Sequence, residues 1–220
     1  DLAVLGIPFE DTSAPHAGQS LAPRALRETS VYFGWHANPQ FSHPVDIDAR
    51  LDIQTDGLHE RLCDLGDISL GQGEAIHAAL KLAISQINRN GACAVILGGS
   101  DHLSETVQTA LPDCQTVQLG GLPRHDRDFH VAPLPNGCAT TCKLETAAQL
   151  ARLSQWRDAS KPLFVRFDLS VFETSLSALC DQPRLGGCDL DTVVQWLELL
   201  GQHEVNAIML TGLNPSRPGM

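Results

Sequence analysis

The sequence predicts an α/β domain, a central and mostly parallel sheet between helical layers. Three observations predict it. At 220 residues, 43% of them hydrophobic and 19% charged, the chain has the size and apolar content of one domain that buries a substantial core. From Leu2 onward, short apolar runs alternate with stretches of helical period, the pattern of strands and helices taking turns. The runs also lack strict alternation of apolar and polar residues, as strands covered on both faces do.

The first strand is expected from Leu2 to Pro8, and later ones at Ala94 to Gly99, Thr116 to Leu119, Leu163 to Leu169 and Asn206 to Leu213. Ile76, Ala79, Leu80, Ala83, Ile84 and Ile87 recur with a period near 3.6, and Gly91 stands beyond them as a C-terminal cap. Leu190, Val193, Val194 and Leu197 repeat the pattern before Gly201, and Leu144, Ala147, Ala148 and Ala151 do so more weakly. Two stretches, Trp35 to Gly57 and Arg124 to Cys142, are rich in His, Asp, Pro and Gly and read as long surface loops. No internal repeat, low-complexity segment or linker divides the chain, so a single domain over residues 1–220 is expected. Because it begins on a strand without a methionine and stops soon after Asn214-Pro215, the domain is expected to be incomplete at its ends.

Lys and Arg number 15 against 26 Asp and Glu, a net charge of -11. That balance repels phosphate backbones and anionic lipid surfaces, so neither nucleic acid nor membrane is an expected partner. No window approaches the roughly 20 apolar residues of a spanning helix, and the opening residues read as a strand rather than a leader, so a cytoplasmic location is expected. Seven cysteines, an odd number scattered along the chain, fit reduced thiols there. Cys63, Cys93 and Cys114 lie at or beside apolar runs and are expected to be buried as small hydrophobes. Cys138 and Cys142, with Cys180 and Cys188, lack the rhythm of a zinc ribbon or finger.

In open parallel sheets, ligands bind beyond the carboxyl ends of the strands. Those ends here read Gly6-Ile-Pro-Phe-Glu10, Asp64-Leu-Gly-Asp67, Leu97-Gly-Gly-Ser-Asp-His102, Phe167-Asp-Leu-Ser170 and Leu213-Asn-Pro215. Taken in that order, they resemble the ureohydrolases, the arginase and agmatinase superfamily. Members of that family open with G-[IV]-P-[FY]-D and a loop ending R-x-G-P-R-x-[IL]-R, here His16 to Arg27 with Ala22 where Gly is favoured. DLGD, LGGDHS, DAHxD, SFDxDxxDP and EVNP follow in the family, and Val171 to Cys188 matches the fourth of these without a gap, ending on Gly186 and Gly187. One such motif is weak evidence, but five in the correct order at strand ends are not a chance pattern. The resemblance implies a three-layer α/β/α arginase-like fold, with hydrolysis of a guanidinium or similar C=N group by a hydroxide bridging two manganese ions, held by four Asp and two His.

Most of those ligands are missing from this sequence. The three of DAHxD fall on Gly120, Leu122 and Arg124, none able to bind a metal, and Arg124 is a fixed cation. In the DxD pair Asp168 remains, while its partner is Ser170. The histidine of GGDHS falls on Asp101 in an ungapped match, or on His102 with one inserted residue. Other family roles are lost too: the proton-shuttling histidine aligns with Asn136 and the acidic residue of EVNP with Gly212. Unit charges ~4 Å apart repel by about 4 kcal/mol even at an effective dielectric near 20, so a metal-free pocket favours the loss of its carboxylates. Arg124, or failing that Arg166, is expected to neutralise Asp168 or Asp101.

The expected function is that of a catalytically inactive relative, with no cofactor and no catalytic residue, acting as a structural or regulatory subunit. The resemblance implies a trimer or hexamer of itself or a complex with an active paralogue. One alternative is an active manganese-dependent amidinohydrolase with ligands rearranged among Asp101, His102, His125, Asp126, Asp128, His130 and Asp168. Another is a small-molecule sensor that keeps the cavity without the chemistry. Asp64 and Asp67 are expected to bond loop backbone, and His36, His43, His59, His77 and His203 are isolated. A P-loop lacks its Lys and Ser/Thr after Gly98-Gly99, and no G-x-S-x-G elbow occurs.

Overall fold

The computed structural model describes residues 1–10, 17–36, 45–46, 51–52, 61–68, 74–120, 129–131, 158–173, 179–180 and 187–217. Seven strands form one sheet: β1 (Leu2–Ile7), β4 (Leu62–Asp67), β5 (Cys93–Gly98), β6 (Gln115–Leu119), β7 (Phe129–Val131), β8 (Leu163–Asp168) and β9 (Val205–Thr211). Their order across the sheet is β4-β1-β5-β9-β8-β6-β7. Every pairing in it is parallel. Two short strands, β2 (Val45–Asp46) and β3 (Leu51–Asp52), pair antiparallel to each other.

The helices are α1 (Ala22–His36), α2 (Glu74–Arg89), α3 (Ser104–Ala110) and α4 (Leu190–Gly201). Alternation along β8 and β9 shows on which face each helix lies. Phe164, Ala207 and Met209 pack with Ile76, Leu80, Ile84 and Ile87 of α2 and with Val107 of α3. Their neighbours Leu163, Val165 and Phe167, with Ile208 and Leu210, pack with Val193, Trp196 and Leu200 of α4. Successive strand residues point to opposite faces, so α2 and α3 cover one side of the sheet and α4 the other. The result is the three-layer α/β/α arrangement the sequence predicts. Each fully buried aliphatic or aromatic side chain contributes roughly 1.5–3 kcal/mol against exposure, so these two clusters hold the layers together.

α2 ends as its sequence predicts. Ala92 N–H donates to the Ile87 carbonyl at 3.2 Å and Gly91 N–H to that of Asn88 at 2.9 Å, with Gly91 at φ 73°, the bond pattern of a Schellman cap. α4 begins on Asp189, whose carboxylate accepts from Thr192 N–H at 2.8 Å, satisfying one of the four donors a helix start leaves open.

Several expectations are corrected. The stretch from Arg124 to Cys142 is not all surface loop, because Phe129–Val131 joins the sheet as β7 beside β6. Trp35 to Gly57 contains the end of α1 and the β2–β3 pair. The segment read as a loop to Arg27 is helical from Ala22, with Pro23 in the first turn where its missing N–H leaves no bond unmade. Cys63 is exposed rather than buried, since β4 is the outermost strand and carries little cover. The helix expected at Leu144 to Ala151 lies outside the described residues.

Candidate functional site

A fully parallel sheet brings all its carboxyl ends to one edge. There the chain leaves β5, passes over two strand positions to β6, and later fills the gap with β8 and β9. Such a reversal of strand order opens a crevice between the loops that diverge from it. Asp101 and His102 follow β5, Gly120 follows β6, Asp168 ends β8 and Gly212 follows β9.

The centre of this edge is an ion pair. Arg166, on β8, shares the sheet face of Phe164, and its side chain reaches past β9 to the loop after β5. Its Nη2 donates to both oxygens of Asp101, at 2.7 Å to Oδ2 and 3.0 Å to Oδ1. Nη1 donates to Gln118 Oε1 at 3.0 Å, and Gln118 Nε2 donates to the Gly120 carbonyl at 3.0 Å. The Arg166 side chain is 4% exposed and that of Asp101 23%. A guanidinium stays charged at any pH a folded protein survives, so burial at this depth requires a compensating anion, and Asp101 supplies it. Of the two arginines expected to neutralise this edge, Arg166 does so through Asp101. Arg124 lies outside the described residues.

Asp168 has a different environment. Its Oδ1 accepts from Ser170 N–H at 2.9 Å and its Oδ2 from Thr211 Oγ1 at 3.0 Å, the latter across the register pair Asp168↔Thr211 of β8 and β9. Gly212 and Gly120 press against it. Gly212 has φ 82°, and a Cβ there would stand 2.9 Å from Asp168 Oδ1. Gly120 has φ 75°, and a Cβ would stand 2.6 Å from Val171 N and 2.7 Å from the Asp168 carbonyl. Both backbones adopt the left-handed conformation that L side chains avoid, and neither leaves room for one.

Around this centre, Ser100 Oγ lies 2.9 Å from His102 Nδ1 and accepts from the His102 N–H. Glu10, in place of the family's Asp, accepts from Gly18 N–H at 2.5 Å and Ser20 Oγ at 2.8 Å. It thereby ties the segment before α1 to the end of β1. Ser170 is buried. The structure thus brings Asp101, His102, Gly120, Asp168, Ser170 and Gly212 to one edge of the sheet. Leu122, Arg124, His125, Asp126, Asp128 and Asn136 lie outside the described residues, as does the side chain of His130.

Sequence reasoning missed the role of Arg27. From α1 its Nε and Nη2 donate to the Asp64 carboxylate at 2.7 and 2.9 Å, Nη1 to Asp67 Oδ1 at 2.5 Å, and Nη2 to the Gly66 carbonyl at 3.0 Å. Asp64 also accepts from Gly66 N–H, the backbone bond expected of it. The Arg27 guanidinium holds the Asp64 carboxyl below its ordinary value, and burial opposes this only in part. The signal was present in the sequence, since Arg27 closes the loop motif and Asp64-Leu-Gly-Asp67 is the next one.

The model of the arginase family matches residues 1–116. The chain belongs to the arginase family. Solved structures show the same fold along the arginase-family chain as a whole. Proclavaminate amidino hydrolase from Streptomyces clavuligerus superposes with a TM-score of 0.74 at 16% identity, covering 99% of this chain and 84% of that one. Arginase from Bacillus subtilis gives 0.68 at 13% identity, covering 99% and 91%. Formiminoglutamase from Trypanosoma cruzi, solved with Mn2+, gives 0.68 at 16%, covering 100% and 87%. No curated protein matches this arginase-family member by sequence. Among its described residues, no helix is long and apolar enough to cross a membrane.

Proposed function

We propose that this arginase-family protein is catalytically inactive and serves as a structural or regulatory subunit, assembled as a trimer or hexamer or with an active paralogue in the cytoplasm. The observation that carries the reading is the ion pair of Arg166 with Asp101. In the family pattern quoted above, Asp101 is the ungapped counterpart of a metal-binding histidine, and Arg166 stands at the serine that opens SFDxD. A carboxylate held at 2.7 Å by a permanent cation is already neutralised and has little left to offer a metal.

The residues at the family's ligand positions do not fit a pair of manganese ions. Gly120 has no side chain, Leu122 has no donor, Arg124 repels cations, and Ser170 is a weak neutral oxygen. Asp168 is left with two hydrogen-bond donors, Ser170 N–H and the Thr211 hydroxyl, which suit a lone carboxylate without a metal. The acidic surface, net -11, supports a protein or small-molecule partner rather than nucleic acid.

Elemental analysis after incubation with excess manganese, nickel and zinc tests the reading, together with turnover assays on arginine, agmatine and related guanidino compounds. The expected result is no stoichiometric metal and no turnover. About two ions per chain, as a two-metal hydrolase holds, or hydrolysis by highly purified protein would overturn it. Sedimentation of the purified chain, alone and mixed with an active paralogue, tests the assembly.

A further inference from the structure

We propose that Arg166 is a built-in ligand of the crevice. Its guanidinium occupies a preformed site for a planar cation, made by the Asp101 carboxylate and Gln118 Oε1, and removing the side chain opens that site to guanidinium-type cations from solution. The inference rests on the reading that this edge of the sheet is metal-free.

The Gln118 acceptor and the backbone that carries Asp101 are fixed by bonds that do not involve Arg166. Gln118 is 1% exposed and its amide is turned by the bond from Nε2 to the Gly120 carbonyl, which leaves Oε1 facing Nη1. Asp101 sits in a 3-10 turn, Asp101–Leu103, whose backbone is closed by Ser104 N–H on the Asp101 carbonyl. Three acceptor oxygens on two residues therefore meet two nitrogens of one fork, at 3.0, 3.0 and 2.7 Å. That geometry suits a planar group donating from two corners. An ammonium, a single charge centre, reaches part of it.

The site also has a way in. Asp101 is the more exposed partner of the pair, so truncating Arg166 leaves a vacated space beside a carboxylate that water already touches. Such a cavity is polar and charged, unlike the dry cavities left by apolar truncations, and it attracts a cation of matching shape.

The test is Arg166→Ala titrated with methylguanidinium and, separately, methylammonium, by calorimetry and by thermal shift. Wild type and Arg166→Ala/Asp101→Asn serve as controls. Arg166→Ala is expected to bind methylguanidinium about tenfold or more tightly than methylammonium, with no such binding by wild type, whose own side chain fills the site, and none by the double variant. Equal binding of the two cations, binding by wild type, or no binding to folded Arg166→Ala would overturn the proposal. If Arg166→Ala is recovered only unfolded, refolding it in each cation decides the same question. Recovery with methylguanidinium alone supports the site, and no difference between the cations overturns it. Metal content and turnover are read on wild type, so an active, metal-loaded wild type sinks the inactive reading, while a failed titration leaves it standing.

Discussion

At Gly212 and Gly120 the backbone itself excludes a side chain, and this gives the residue scale its sharpest prediction. Gly120→Ala or Gly212→Ala adds left-handed strain of about 1–2 kcal/mol, with the new methyl 2.6 Å from backbone at Gly120 and 2.9 Å from the Asp168 carboxylate at Gly212. Each is expected to lower unfolding free energy by about 1–3 kcal/mol in urea, read as a shift of midpoint at unchanged slope. Gly201→Ala is the contrast. Gly201 ends α4 with nothing within 4 Å of its Cβ position, and the change should be neutral or stabilising by up to about 1 kcal/mol. A second prediction concerns charge. Asp101→Asn strands a buried guanidinium and should cost about 3–5 kcal/mol, whereas Asp101→Asn with Arg166→Met removes the stranded cation and should regain most of that loss.

Each element depends on a few side chains at its ends. Asp189→Ala removes the cap of α4 and should cost about 1 kcal/mol, visible in the same urea titration. Arg27 joins α1 to the edge strand β4, and its effect has a definite pH dependence. The folded Asp64 carboxyl lies below its ordinary value of 3.8, so its contribution is present in full above about pH 4 and is lost as pH falls through the lower folded value. The stability gap between wild type and Asp64→Asn should therefore be widest at neutral pH and close in stronger acid. Much of this was legible in the sequence. The unbroken apolar runs gave β5, β6, β8 and β9 within a residue or two, and helical period with Gly91 gave α2 and its cap. β7 was not legible, because three residues, Phe129–Val131, among Pro and Gly carry too little pattern to mark a strand. α1 was hidden because Pro23 suggests a loop until it is seen to occupy the first turn. At the site, the pairing of Asp101 with an arginine was readable from residue types. The left-handed backbones at 120 and 212 were not, since the motifs show which residue is missing and not which conformation replaced it.

Over the whole molecule, parallel pairing and burial on both faces sort the cysteines by reactivity. Cys63 on the outer strand is exposed, and Cys180 and Cys188 are buried. Burial pushes the Cys114 thiol up to about 11 and raises that of Cys93. The thiolate is the reactive form, so alkylation of native protein at pH 8 followed by peptide mapping should mark Cys63 well before Cys93, Cys114, Cys180 and Cys188. The bond from Arg166 to Asp101 has a reach beyond its own crevice. It runs from β8 over the intervening β9 to the loop after β5, and through Gln118 it engages β6 as well. Strands contributed by early and late parts of the chain, which do not pair with each other, are thereby stitched together across β9, which pairs with both. Fraying that begins at either margin of the sheet must halt there or break the stitch, so wild type should melt in one step, with the slowest-exchanging amides on both sides of β9.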